Sequence, residues 1–391
     1  MTAVIKWTER QRELRAGLSD WCRAINAGQH RADEDTGFSW ENWKLVQECG
    51  VLRLPFAEEW GGLGQDLLTT MYVLEGLGND CRDGGLCFSV TTAMVSTGIP
   101  VQRFGSGAQR RTWLPGVCAG DVVGAHAITE PDGGSDALTM RTRAVRDGDH
   151  WVLTGGKAFV SNGPVADLFV VYARTRPAGG PLGTTAFLVE RDTPGLALGQ
   201  PVAKMGLRSS PLCELFLDGA RVPATNVLGR PGGGFLVLDH VMKWEILCSF
   251  AVSLGEMQHR LDQCVRYARE RVQSGVPIGT HQAVSHRIAD MKIGVETTRK
   301  WLYDTASRFA AGENVTTDLA ITKIVASEQN LATALAAVQI HGGYGYLTEY
   351  GVEASLRDAV AGTVYSGTSE IQRNRVAAML GLPRGGEEHR P

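Results

Sequence analysis

The chain has 391 residues, of which 43% are hydrophobic and 21% charged, with a formal net charge of −3. That length supports two or three structural domains with sizeable cores. A near-neutral balance without a basic run or tail argues against a nucleic-acid partner, and no apolar run approaches the roughly 20 residues that span a bilayer, so no membrane partner is expected.

Residues 1–122 read as mostly helical. SWENWKLVQECGVL and DLLTTMYVLEGLG carry apolar residues at intervals of three and four, the spacing of one helix face. PFAEEWGGLGQ and FGSGAQR read as breaks between helices. The opening MTAVIKWTERQRELRAG is charged and lacks the apolar core of a signal peptide. From 123 to 232 the pattern shifts to short β-rich runs, HWVLTGG, LFVVYART, TAFLVE and ELFLDGARV, punctuated by Gly, Pro and Asp. RDGDH predicts a hairpin turn. Strands this short at close spacing predict a small antiparallel barrel or sandwich. Residues 233–391 return to helix. HQAVSHRIADMKIGVETTRKWLYDTASRF places Ile288, Met291, Val295, Thr298 and Leu302 on one face. DLAITKIVASEQNLATALAAVQI predicts a second long helix ended by HGGYG, and such striped helices pack into bundles. PRGGEEHRP reads as a loose polar tail. The expected fold is α+β: an N-terminal helical domain, a central antiparallel β-barrel domain and a C-terminal four-helix bundle.

Cys22, Cys49, Cys81, Cys87, Cys118, Cys213, Cys248 and Cys264 are scattered without a CxxC pair. In a chain of this length that predicts reduced thiols and a cytoplasmic protein rather than a disulfide frame. The histidines show no HExxH spacing, so no metal is expected.

Glu245 sits in the middle of the apolar helical run GGFLVLDHVMKWEILCSFAVSLG. At helical spacing its face-mates are Leu238, Val241, Met242, Cys248, Ser249 and Val252. A carboxylate among them loses hydration, which raises its pKa and makes it a base near neutral pH. The bland reading is a buried acid paired with a group elsewhere in the chain.

Five stretches carry the remaining signal: AHAITEPDGGSD at 125–136, GGKAFVSNGPVADLFVVYA at 155–173, KMGLRSSPLCELFLDGARVP at 204–223, QIHGGYGYLTEY at 339–350 and VYSGTSEIQR at 364–373. In order and spacing they resemble the acyl-CoA dehydrogenase flavoproteins over nearly the whole chain. TEPDGGSD combines hydroxyls with adjacent glycines, which lets backbone approach a flat polar ring; its bland reading is a tight turn. The resemblance implies bound FAD. It places Ile128, Thr129, Gly134 and Ser135 on the isoalloxazine or ribityl chain, and Phe159, Val160 and Ser161 against the flavin. Many relatives have Trp at the Phe159 position. Arg271 matches the pyrophosphate-binding Arg, whose guanidinium suits phosphate; taken singly it reads as a solvated helix residue. Ser274 departs from the Phe usual beside it. Gln282, Gln339, Gly342, Gly343, Thr368 and Glu370 match further cofactor contacts.

The common family pattern puts the base immediately before the Gly of YxGT, where this chain has Ser366. A serine hydroxyl cannot take an α-proton, its pKa being far too high. The isovaleryl- and long-chain-like subset places the base on the first helix of the C-terminal bundle, which corresponds to Glu245, although the Arg usual after it is Ile246 here. The resemblance then implies α-proton removal by Glu245, hydride transfer from the β-carbon to flavin N5, and an oxyanion contact from the Ser366 backbone N–H. Peptidyl-carrier prolyl dehydrogenases of natural-product pathways resemble the chain around WE and GNDCRDGGLCFS, which favours a carrier-protein thioester over CoA. Electron-transfer flavoprotein as acceptor and a homotetramer are further expectations of the family. Two other readings stand beside this one: an oxidase that uses O2, and a catalytically silent acyl- or flavin-binding protein. Phe88, Thr92 and Met94 match the helix lining the acyl tail, with core packing as the alternative.

Overall fold

The computed structural model describes residues 5–34, 37–136, 139–176 and 182–382; the polar tail expected at 383–391 lies outside them. Helices α1 (Glu9–Ala16), α2 (Ser19–Glu34), α3 (Trp40–Cys49), α4 (Leu67–Asp80), α5 (Gly84–Thr91), α6 (Ile99–Phe104) and α7 (Gly107–Ala119) come first. Strands β1 (Gly124–Ala127), β2 (Arg143–Asp147), β3 (His150–Ser161), β4 (Leu168–Arg174), β5 (Thr184–Glu190), β6 (Leu196–Leu198), β7 (Leu212–Pro223) and β8 (Val227–Leu228) follow. Then come α8 (Gly234–Glu270), the short hairpin β9 (Val272–Gln273) and β10 (Val276–Pro277), α9 (Gln282–Ala310), α10 (Thr316–His341), α11 (Gly343–Tyr346), α12 (Val352–Ala361) and α13 (Ser369–Met379). The order is helices, sheet, helices, as the periodicities predict. The described residues form two compact units, one within 23–66 and 85–248, the other within 5–22, 67–84 and 249–382.

The first unit holds the sheet. Its strand order is β6-β7-β3-β2-β4-β5-β8, with β1 paired to β4. Arg143–Asp147 and His150 close the predicted two-residue hairpin, with Gly148 at φ +57° in the turn. The sheet is not purely antiparallel: β1 runs parallel to β4, and β2 meets β4 in parallel at Arg143 and Arg174. The β2–β3 hairpin and the turn after it lie between β1 and β4, and so long a connection brings the chain back in the same direction. Ala125, Ala127, Val160, Phe169, Val171, Phe187, Val189 and Leu215 form the buried core beneath.

Gly84–Phe104 is long and apolar enough to qualify as a membrane span by length and hydropathy, contrary to the sequence expectation, yet 94% of its most apolar window is buried inside the protein. A core helix of a large unit reaches the same hydropathy as a span. Seven of its residues, Thr92–Gly98, wind as a π-helix. The segment lies directly on β1, because Gly124 lacks a side chain: a Cβ there would come within 2.4 Å of Thr97. Asn162 ties the same region together, its amide donating to Ser89 O and Gly124 O, each at 3.1 Å.

The second unit packs α4, α9, α10, α12, α13 and the later part of α8. The stripe predicted on α9 is its buried face: Met291, Val295, Thr298 and Leu302 are inside, with Ile288 half-buried. The buried charged groups of this unit find partners, as burial demands. Glu75 accepts from the Tyr303 hydroxyl at 2.7 Å and lies 3.2 Å from Arg299 and 3.5 Å from Arg15. Arg260 donates to Asn330 and Thr333.

Candidate active site

Glu245 lies on the buried stripe of α8 as the spacing predicts. Leu238, Val241, Cys248, Ser249 and Val252 are all buried around that face. The Glu245 side chain is only 16% exposed. The Ser96 hydroxyl donates to its Oε2 at 2.8 Å, and His126 Nδ1 lies 3.7 Å from the same oxygen. Behind the imidazole, His126 Nε2 meets the Tyr172 hydroxyl at 3.1 Å. Tyr172 is fully buried; burial and then the charge of Glu245 push its phenol well above the usual range. A carboxylate with apolar walls, a small opening and polar groups on one oxygen is what proton transfer requires. Asp239, nearly two turns earlier on this helix, is 45% exposed and bound to Lys243 at 2.5 Å, so it offers no desolvated base.

Two residues beyond His126 the same strand leads into Ile128 and Thr129, both half-buried. The Ala158 N–H donates to Thr129 O at 2.8 Å, which joins this segment to the end of β3. The structure thereby brings Ile128, Thr129, Gly134 and Ser135 into one region with Phe159, Val160 and Ser161. Gly134, Ser135 and Phe159 face outward, Ser161 is half-buried and Val160 is buried as a core residue beneath them. Phe159 has φ +56° and is 68% exposed, an aromatic ring turned away from the core on a left-handed residue. Below the shelf, Lys157 donates to Glu130 Oε1 at 2.9 Å and to Ile128 O at 3.0 Å. Glu130 also accepts from the N–H groups of Arg141 at 2.6 Å and Thr142 at 2.8 Å. An outward aromatic ring beside glycines and the Thr129, Ser135 and Ser161 hydroxyls fits a flavin, whose ring is flat and apolar on its face and polar at its edge.

The remaining candidates belong to the second unit. Arg271 follows α8 and is exposed, its guanidinium carbon 5.5 Å from the centre of the Tyr344 ring. Gln282 opens α9, and Gln339, Gly342 and Gly343 are exposed at the C-terminal end of α10, with Gly342 at φ +60°. Thr368 caps α13, accepting from the Ile371 N–H, and Glu370 lies in its first turn. The Glu370 backbone N–H and the Thr368 hydroxyl hold that carboxyl below its usual range. Ser366 is half-buried with φ +54°, and its carbonyl accepts from the Gln372 amide at 2.9 Å. Arginine, amide and helix-terminal groups of this kind suit a dinucleotide's phosphates and ribose. Thr92 and Met94 are core residues, and the Thr92 hydroxyl donates to Phe88 O.

Sequence reasoning missed Ser96, His126, Tyr172, Lys157 and Glu130. For His126 a signal exists: the alternation of GAHAI puts His126 and Ile128 on the strand face opposite Ala125 and Ala127. For Ser96 none does, because π-helical phase is not written in an α-helical periodicity.

Residues 8–121, 125–220 and 232–381 match the models of the acyl-CoA dehydrogenase N-terminal, middle and C-terminal domains. The L-prolyl-[peptidyl-carrier protein] dehydrogenase of Pseudomonas fluorescens is 40% identical over 346 residues, covering 88% of this chain and 91% of that protein. The crystal structure of the prolyl acyl carrier protein oxidase AnaB matches with a TM-score of 0.94 and 37% identity over 96% of this chain and 100% of its own. The structure of PigA with FAD and proline matches with a TM-score of 0.94 and 32% identity over 97% of this chain and 99% of its own.

Proposed function

The chain belongs to the acyl-CoA dehydrogenase family, and on that premise we propose that it is an FAD-dependent dehydrogenase of an acyl thioester carried on a carrier protein, acting in natural-product assembly. The observation that carries the reading is the Glu245 carboxylate, walled by apolar side chains and held by Ser96. The carrier-protein assignment draws support from the 40% identity to a prolyl-carrier-protein dehydrogenase. A prolyl thioester is the first substrate to try.

Bound FAD would supply the acceptor for a hydride from the substrate β-carbon. Ile128, Thr129, Gly134, Ser135, Phe159 and Ser161 would hold its ring, and Arg271, Gln282, Gln339, Gly342, Gly343, Thr368 and Glu370 its pyrophosphate and adenosine. Val160 supports the shelf from below. Glu245 takes the α-proton, a transfer worth about 10²–10⁴-fold in rate. By its resemblance to the family, Ser366 is the residue whose backbone N–H would serve the thioester carbonyl as charge develops there. Buried apolar residues on its helix face limit the water around the carboxylate. We place the protein in the cytoplasm as a homotetramer in which a neighbouring copy supplies the pyrophosphate-side residues; exposed Tyr346 and Leu347 beside Tyr344 support that assembly. Electron-transfer flavoprotein is the proposed acceptor. The name of AnaB, an oxidase at 37% identity, favours O2 as the second reading, and the rate at which air reoxidises the reduced protein separates the two.

Anaerobic mixing of the yellow protein with CoA and carrier-protein thioesters, prolyl among them, tests the proposal. Rapid loss of flavin absorbance with a carrier-protein thioester is expected, and Glu245→Gln keeps bound FAD while abolishing that loss. Bleaching in Glu245→Gln at the parent rate, or a colourless protein that does not reconstitute with FAD, overturns it.

A further inference from the structure

The geometry points to a built-in positioning apparatus for the base: Tyr172 holds the His126 ring in one orientation, and His126 and Ser96 together fix the Glu245 carboxylate. The inference rests on the reading of Glu245 as the base.

Four separate elements meet at this carboxylate: the π-helical segment supplies Ser96, β1 supplies His126, β4 supplies Tyr172 and α8 supplies Glu245. The wide turn is closed by the Ile99 N–H donating to Met94 O, five residues back. Such a turn shifts the phase of the side chains that follow it, and Ser96 is the residue that reaches Glu245. The next residue anchors the turn, the Thr97 hydroxyl donating to Ala125 O at 3.3 Å on the strand that carries His126. Donor and imidazole are thus held by one strand–turn contact.

Hydrogen-bond logic sets the tautomer. The Glu245 carboxylate across from Nδ1 favours a proton on that nitrogen, which leaves Nε2 to accept from the Tyr172 hydroxyl, a phenol that burial keeps protonated. The ring proton then sits on Nδ1 and faces Glu245 Oε2. A third group that orients an imidazole toward its partner is the arrangement by which active sites fix a tautomer. His126 meets two titratable groups, Glu245 on α8 and Tyr172 on β4, and the uncharged Ser96 meets Glu245. Without the Tyr172 hydroxyl the ring can present its Nδ1 lone pair to the carboxylate, which repels the ionised form and favours the protonated one.

Tyr172→Phe removes one oxygen from a buried ring and preserves its shape, which makes it the primary test. With FAD content and melting temperature unchanged, substrate bleaching at neutral pH is expected to slow about tenfold, the upper size of one neutral intramolecular hydrogen bond. The loss recovers as pH rises. In the oxidised holoprotein without substrate, the Glu245 carboxyl band, identified as the infrared band missing from Glu245→Gln, titrates at higher pH in Tyr172→Phe. The double variant Tyr172→Phe with His126→Leu is no slower than His126→Leu alone, because the hydroxyl acts through the ring. An unchanged rate and titration in Tyr172→Phe overturn the inference, as do additive losses in the double variant; if His126→Leu does not fold, the first pair of measurements decides. Bleaching that survives Glu245→Gln instead overturns the base assignment itself.

Discussion

Lys157 Nζ lies 2.9 Å from Glu130 Oε1, a salt bridge between a fully buried lysine and a carboxylate that is 8% exposed. Burial disfavours charge on both groups. The Lys157 charge and the donors around Glu130 outweigh burial and hold that carboxyl below its usual range, whereas burial outweighs the pull of Glu130 and lowers Lys157. The pair pins 128–130 to β3 and with it the proposed flavin shelf. Lys157→Met leaves a buried carboxylate without its cation and costs about 3–5 kcal/mol at neutral pH. A depressed carboxyl contributes stability above its unfolded pKa of about 4.3, and that contribution is lost as pH falls through the lower folded value. The cost of Lys157→Met therefore shrinks in acid as Glu130 protonates. Urea unfolding of the apoprotein at neutral pH and near pH 3 checks both the size and the sign; an equal cost at the two pH values rules out the pair as its source.

Glu245→Asp keeps the acid and shortens its reach. The carboxyl retreats toward α8, away from Ser96 and from the substrate, and a misplacement of about 1 Å costs about 10²-fold in a positioned reaction. FAD binding is unaffected, since the shelf at Phe159 is untouched. Stopped-flow bleaching of the parent, Glu245→Asp and Glu245→Gln is expected to rank in that order. Equal rates for Asp and Glu would mean that reach is not limiting.

Legibility followed the strength of each periodic pattern. The α9 stripe from Met291 to Leu302 and the RDGDH hairpin are local, repeated signals, and both are found where the spacing puts them. The half-buried state of Glu245 was also readable, because its apolar face-mates lie within two turns. The partners of Glu245 were not. Ser96 is 149 residues away in sequence, and a π-helical segment sets its direction. Tyr172 sits in LFVVYAR, a run so uniformly buried that alternation cannot single out one residue. The parallel β1–β4 pairing was hidden for the same reason: a strand buried on both faces carries no mark of its neighbour's direction.

Phe159 adopts φ +56°, a conformation that costs a non-glycine residue about 1–2 kcal/mol. Its side chain is 68% exposed, so little packing compensates. Phe159→Gly removes the strain and adds a comparable entropic cost of about 0.5–1 kcal/mol in the unfolded chain. The apoprotein is expected to melt within a few degrees of the parent. FAD affinity, by contrast, falls several-fold, because the ring that would cover the flavin is gone. Differential scanning calorimetry of the apoprotein and a fluorescence titration with FAD separate the two effects. A large drop in apoprotein melting with unchanged FAD affinity would place Phe159 in the core instead.

Gly78 on α4 and Gly255 on α8 are where the two helices touch backbone to backbone. A Cβ at Gly78 would fall 2.0 Å from Val252 O, and one at Gly255 would fall 2.0 Å from Glu75 O. Neither obstacle is a flexible side chain, so the helices must separate to admit even a methyl group. Overpacking of this kind costs about 1–3 kcal/mol and more where backbone must move. It also pulls on Glu75, which anchors Tyr303 and Arg299. Gly78→Ala is expected to lower the thermal midpoint by several degrees despite the better helix propensity of alanine. Gly28→Ala on α2 supplies the contrast, since the nearest atom to its Cβ is Asn42 Oδ1 at 4.0 Å. There the propensity gain of about 0.5–1 kcal/mol stands unopposed and the midpoint rises. If Gly78→Ala rises as well, α4 and α8 do not meet as closely as these glycines imply.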